Sequence, residues 1–423
     1  MFRPSPGISA LARCILIAGI TSAAFSVRAD DGALTLAAAV QRAAAQAPLL
    51  EARQAQVVAA QEEARRAGAL PDPVLSVGID NLPVNGPDAF DTAADSMTMK
   101  KIGLQQAIPA RAKRDAEQTL ALRAVEASRA RSGADAVAVR RAAADAWIDA
   151  WSSEQALAAL RQSREQAALA SAVARARVEG GGASAVDAMA VEAAGLDLDN
   201  RIAEQQAVHD AALAALERWT GTTGSIAQDA PDFGRLPYTE VQLFARLDRL
   251  PALSPASADV ETAAAQVDLA RAARRPDWSV AASYGQRSGG RDDMLMLEVG
   301  IGLPLFTRSR QDRAIAAREA DYQAAIATRE DLRRDQRAQL RGAFARWQGV
   351  QRQVALYETR LLPLARDRSA AALAAFRAGG ELQPWIDARR DELTAELSHA
   401  EHRRELGHAW AALAFLFPTE SQP

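Results

Sequence analysis

The chain has 423 residues, 49% hydrophobic, 24% charged and only 5% aromatic, with a net charge of −3. That length allows two or three domains or one elongated one, and the absence of a basic excess excludes a general nucleic-acid binder. A chain rich in alanine and charge but poor in aromatics points to long helices packed through small side chains.

Residues 1–29 read as a secretory signal. Arg3 and Arg13 give the positive end, residues 14–25 the short apolar run, and Val27 and Ala29 the small-residue cleavage positions. The run is too short for a membrane anchor. The sole cysteine, Cys14, follows Arg13, a context that argues against lipid attachment. Loss of this segment removes three arginines and takes the net charge to −6. A mature chain without cysteine holds no disulfide and no thiolate metal site.

In chain order, a helix is predicted over 36–68, strands over 73–82 and 97–109, a long helix over 111–179 and a helix over 184–219. Residues 221–255, rich in Gly, Pro, Asp and Thr, read as a linker with little regular structure. A second series follows: a helix over 256–274, strands over 277–287 and 292–306, a long helix over 308–378 interrupted by Pro363, a helix over 381–416, and a tail, 418–423. The two series match as sequences. "MTMKKIGLQQAIPARAKRD" (97–115) aligns with "MLMLEVGIGLPLFTRSRQD" (294–312) at an offset of 197, and Trp147 with Trp347 at 200. The spacing exceeds solenoid periods and indicates a duplicated domain, 30–220 and 256–417. The 69 residues of 111–179 would make a helix roughly 100 Å long. The expected fold is therefore an extended α-helical coiled-coil barrel with four strands.

Residues 294–306 pose the question of where an apolar row goes. Leu295, Leu297, Val299, Ile301 and Leu303 fall on one side, and Met294, Met296, Glu298, Gly300 and Gly302 on the other. In the first series Ile102, Leu104 and Ile108 face one way, and Lys101, Gly103 and Gln105 the other; Lys100 and Gln106 fall on the apolar side. Strands this long fit a transmembrane β-barrel. Four cannot close one, and an open edge in lipid leaves unpaired backbone groups. Three chains of four strands supply twelve, enough to close, so a homotrimer in lipid is expected. The competing expectation is a soluble two-hairpin sheet capping a helical bundle.

The signal segment, the duplicated helix–hairpin–long helix–helix order, the junction "GLPLFTRSRQDRA" and the "GG…D" reversals together resemble the TolC-type outer-membrane factors over about residues 34–417. The short second hairpin loop, 287–293, and the abrupt C-terminus are most similar to the outer-membrane components of heavy-metal cation efflux systems. The resemblance implies a trimeric channel-tunnel in the outer membrane of a Gram-negative bacterium, reaching into the periplasm. It also implies a periplasmic adaptor and an inner-membrane RND-type transporter as partners, and export of heavy-metal cations; a drug-efflux or type I secretion duct of the same fold is the alternative. A periplasmic adaptor would need a domain of many short strands.

The resemblance places Asp187 and Asp387 near a periplasmic constriction, where three copies of Asp387 would form an anionic ring. Ser184-x-x-Asp187 is equally a helix-capping pattern. Gly180, Gly181, Gly182, Gly379 and Gly380 suit tight reversals through positive φ. Met97, Met99, Met294 and Met296 repeat a Met-x-Met on the predicted lumen side, where thioethers suit soft ions such as Cu(I), or pack as inherited neighbours. His399 and His402 have a spacing that could share a metal, although Glu396 and Glu401 suit salt bridges better. Trp278, Tyr284 and Phe306 sit at strand ends like interfacial aromatics. No cysteine nucleophile, phosphate loop or HExxH motif occurs after residue 29, and His209, His399, His402 and His408 lie beside no serine–acid motif. A passive duct without a cofactor is expected.

Overall fold

The computed structural model describes residues 33–181, 184–222 and 224–418. The signal segment with Cys14, Gly182 and the tail residues 419–423 lie outside the described residues.

The helix expected over 36–68 is two helices, α1 (Leu36–Gln46) and α2 (Pro48–Arg66). Thr35 caps α1, its Oγ1 accepting from the Ala38 N–H at 3.2 Å. The break has a steric cause: the residue before a proline is driven out of the helical region, and Ala47 sits at φ −65°, ψ 118°.

Two strands follow, β1 (Val74–Asp80) and β2 (Met99–Ile108), then α3 (Arg111–Glu179), 69 residues and roughly 100 Å long. No proline interrupts α3. It turns back into α4 (Ala185–Thr220).

Residues 221–255 are more ordered than their composition suggests. Leu34 and Ile226 form a parallel bridge, α5 (Glu240–Ala245) starts with a Thr239/Gln242 capping box, and Phe233, Leu243, Leu247, Leu250 and Leu253 are buried. The apolar residues dispersed among its glycines and prolines seal the segment onto the helices.

The second half repeats the order with α6 (Ser254–Ala272), β3 (Trp278–Arg287), β4 (Met294–Ile301), α7 (Gln311–Leu356), α8 (Leu362–Arg377) and α9 (Gln383–Ala414). The last strand ends at Ile301 rather than 306, so Leu303 lies beyond it. The Gly302 N–H turns to the Asp277 carbonyl at 2.8 Å, and Pro304 cannot donate to a ladder. The long helix begins at Gln311 rather than 308. Pro363 does not end it: a wide π turn, Tyr357–Leu361, absorbs the missing N–H and joins α7 to α8.

The four strands form one antiparallel sheet in the order β1-β2-β3-β4. Within the chain β1 and β4 each pair along a single edge. The largest core lies at mid-height, where α1, α3, α4, α7, α9 and the 221–255 segment meet around Trp147, Trp151, Ile148 and Phe233. Four indoles there donate to backbone carbonyls of non-helical segments: Trp147 to Leu34 at 2.7 Å, Trp151 to Gln228 at 2.9 Å, Trp347 to Phe233 at 2.9 Å and Trp410 to Arg235 at 2.8 Å. Trp147 and Trp347, equivalent in the two halves, each fasten a connecting segment to a long helix.

Candidate functional site

The register divides the sheet into two unlike faces. Ile79, Val77 and Leu75 of β1 align with Lys100, Ile102 and Leu104 of β2, Tyr284 and Ala282 of β3, and Leu295 and Leu297 of β4. The opposite face carries Asp80, Gly78 and Ser76, then Met99, Lys101 and Gly103, then Gly285 and Ser283, then Met294, Met296 and Glu298. No helix covers the apolar face: Val77 is 77% exposed, Leu297 75% and Leu295 70%. A soluble sheet capping a bundle would have buried that row, so this expectation is overturned.

The two polar intruders on the apolar face sit toward its ends. Gln106 turns its amide back to the carbonyls of Pro71 and Ala107, at 2.7 and 2.8 Å. Lys100 is the second residue of β2. Trp278 and Tyr284 lie on the apolar face, 46% and 45% exposed; the Tyr284 hydroxyl donates to Asp293. Phe306 is exposed in the turns after β4. Sheet and helices are tied at their junction by Asp277, which accepts the Ala110 N–H at 2.8 Å and pairs with Lys113 at 3.1 Å.

The methionine pairs are not equivalent. Met97 lies in the turn before β2, 59% exposed, with its N–H on Asp95 at 2.7 Å. Met99, Met294 and Met296 are in strands.

The other end of the molecule is a pair of glycine-turned reversals packed side by side. Ala170 and Ala174 of α3, Val191 of α4, and Phe376, Leu382, Trp385 and Ile386 form one apolar cluster there, and the Arg177 guanidinium lies 4.8 Å from the Phe376 ring centroid. The glycines divide by role. Gly181 and Gly379 adopt φ of +75° and +103°, the left-handed region that favours glycine. Gly180 has φ −79°, which any residue adopts. Gly380 is needed for space instead, since a Cβ there would lie 2.9 Å from the Ala375 carbonyl oxygen. Asp387 is half-buried on the second turn of α9, its Oδ1 accepting from Gln383 Nε2 at 2.9 Å. Asp187 lies on the first turn of α4, with its side chain outside the described residues.

Sequence reasoning missed a charged clamp at mid-height. His408 of α9 meets Asp145 through Nδ1 at 2.9 Å and Asp149 through Nε2 at 2.7 Å, and Arg404 reaches Asp149 at 3.2 Å. Burial pulls the imidazole pKa down, but two carboxylates, one on each ring nitrogen, push it up to about 9. Burial works against the Asp149 charge, yet hydrogen bonds from His408 and Arg404 hold its carboxyl below the usual range.

His399 and His402 do not converge on a shared ligand. His399 Nε2 lies 3.2 Å from Glu358, and its pKa is lowered by burial. His402 packs against Tyr357 at 5.1 Å between ring centroids. Glu401 pairs with Arg404 at 2.6 Å and Glu396 with Arg366 at 3.7 Å. Among the described residues no group of three or more His, Cys, Asp and Glu is placed to hold a metal ion. No described helix is long and apolar enough to cross a membrane, which says nothing of strands.

Residues 245–417 match the family described as outer membrane efflux protein. No curated protein matches the chain in sequence. Solved structures align along most of its length. A membrane protein from Pseudomonas aeruginosa has 17% identity over 90% of this chain and 90% of that chain, with a TM-score of 0.77. The outer-membrane protein VceC from Vibrio cholerae has 17% identity over 91% and 97%, with a TM-score of 0.71. The open state of the MtrE outer-membrane channel from Neisseria gonorrhoeae has 16% identity over 90% and 88%, with a TM-score of 0.73. The second half thus carries the sequence pattern of outer membrane efflux proteins, and the chain shares the fold of these solved structures, long helices with four strands in one antiparallel sheet.

Proposed function

We propose that the chain is the outer-membrane channel-tunnel of a tripartite efflux pump, a passive duct for heavy-metal cations. The observation that carries this reading is the four-stranded sheet, apolar on an uncovered face and polar on the other, with open edges at β1 and β4. Such a sheet is stable in lipid only when closed. Three copies joined β4 to β1 close it, with the apolar rows toward lipid and the polar rows toward a lumen. The helices, roughly 100 Å long, then extend the lumen across the periplasm. There the tip would meet an adaptor protein and, through it, an RND-type inner-membrane transporter, which supplies the energy. Asp187, Asp387 and the glycine reversals at 181–182 and 379–380 form the periplasmic gate in this reading. Asp387 gives an anionic ring at the constriction, which favours cations as cargo.

Single-channel conductance of the purified protein in planar bilayers tests this. Discrete cation-selective steps are expected, with selectivity reduced in Asp387→Asn. Steps without cation preference would move the reading to a drug-efflux or type I secretion duct. A monomer in detergent with no conductance would overturn the duct itself.

A further inference from the structure

Four of the chain's six methionines, Met97, Met99, Met294 and Met296, lie in or beside the sheet, at the end remote from the long helices. Three share its polar face. Met294 pairs directly with Gly285 of β3, Met296 with Ser283 and Met99 with Arg287, so all three stand around Gly285. Their strands, β2 and β4, are separated by β3. Neighbouring strands lie about 4.8 Å apart, and an ordinary side chain at 285 would keep the two sides from touching. Glycine removes that wall. A Cβ built there would lie 3.1 Å from Met99 Sδ and 3.7 Å from Met296 Cε, so both thioethers reach over the same bare backbone. Met99 is thereby 9% exposed on a face otherwise carrying Asp80, Lys101, Ser283 and Glu298. Two cations flank the methionines on this face: Lys101, opposite Gly285, pairs with Asp80 at 3.2 Å, and Arg287, opposite Met99, donates its Nε–H to the Asp292 carbonyl at 2.9 Å.

We infer that Met99, Met294 and Met296, gathered over Gly285, form a binding site for a soft monovalent cation of the Cu(I) or Ag(I) class. Thioethers are neutral, polarisable donors that favour such ions over Zn(II), Mg(II) or Na(I). They carry no proton to displace, so binding is independent of pH across the range where carboxylate and imidazole sites weaken. The site deepens the duct reading, on which its lumenal position rests: each chain places one soft-ion contact at the mouth remote from the periplasmic helices. The binding itself does not depend on conduction.

The test is titration of the detergent-solubilised protein with Ag(I) in chloride-free buffer. Heat is read by calorimetry, and the methyl resonances of 13C-methyl-labelled methionine by NMR. Expected are saturable binding, shifts of the Met99, Met294 and Met296 methyl signals, equal affinity at pH 5.5 and 7.5, and no competition by Zn(II). The double variant Met99→Leu with Met296→Leu keeps side-chain volume and should weaken binding at least tenfold without changing the melting temperature. Met189→Leu, on α4, should leave binding unchanged. Wild-type affinity in the double variant, or shifts confined to Met97 and Met189, overturns the site. Conductance of the double variant separates the two readings: a conducting variant whose affinity equals that of the wild type loses the site and keeps the duct. Ag(I) bound as expected by a protein that never conducts keeps the site and loses the duct.

Discussion

At the residue scale, the charge on His408 is part of the packing between α9 and α3. Its pKa, raised to about 9 by Asp145 and Asp149, lies above the ordinary histidine value near 6.5. The folded state therefore keeps a proton that the unfolded chain gives up. This contribution is complete below about pH 6.5, declines as pH rises, and is gone once pH passes about 9. Thermal unfolding should thus fall between pH 7 and 9.5 in the wild type and less steeply in His408→Gln, which is already weaker at pH 7. Parallel pH profiles would remove the clamp from the account. The tip glycines make a second test. Gly181→Ala and Gly379→Ala place a Cβ at positive φ, a strain of about 1–2 kcal/mol each. Gly180→Ala, at φ −79°, should be neutral. Hydrogen exchange of the amides at 176–181 and 374–380 distinguishes them: faster in the first two variants, unchanged in the third.

At the scale of elements, the tryptophans hold irregular segments to long helices. Trp147→Phe removes one of the two donors to the buried Leu34 carbonyl, at 2.7 Å, and leaves the Ala227 N–H at 3.1 Å; losing that one hydrogen bond should destabilise by about 0.5–1.5 kcal/mol in urea unfolding. Trp347→Phe should cost less, because Trp347 is only partly buried. Local pattern made much of this architecture legible. The alternation of 294–301 carries the two faces of the sheet, because side-chain direction in a strand depends only on neighbours. The length of α3 follows from a run without proline. What stayed hidden depends on distant partners. His408 is ambiguous alone, since its carboxylates lie 259 and 263 residues away. The Trp147–Trp347 match pointed to duplication, but their acceptors are the carbonyls of Leu34, ahead of α1, and of Phe233, in the segment that looked like a linker. Pro363 signalled a break, and only tertiary packing let a π turn carry the helix through it. The tip divides the same way: a glycine run signals a reversal, yet which glycine needs positive φ and which needs space follows from the chain path alone.

At the scale of the whole molecule, the sheet's two faces predict opposite tolerance to charge. Leu297→Lys places an ammonium on the apolar row and should lower membrane insertion by about 2–4 kcal/mol if the position lies near mid-bilayer. Ser283→Lys, on the polar row, should leave assembly intact. The yield of heat-resistant oligomer on gels after reconstitution reads the difference, and equal yields would contradict the assignment of faces. The open edges of β1 and β4 also bear on heredity. A barrel shared among identical chains closes only if every seam forms, so one copy with a blocked edge spoils the assembly for its sound neighbours. A cell making normal and edge-defective chains together would sequester most of its normal product in unclosed oligomers. Such an allele would behave as dominant, whereas one that abolishes synthesis of the chain would be recessive.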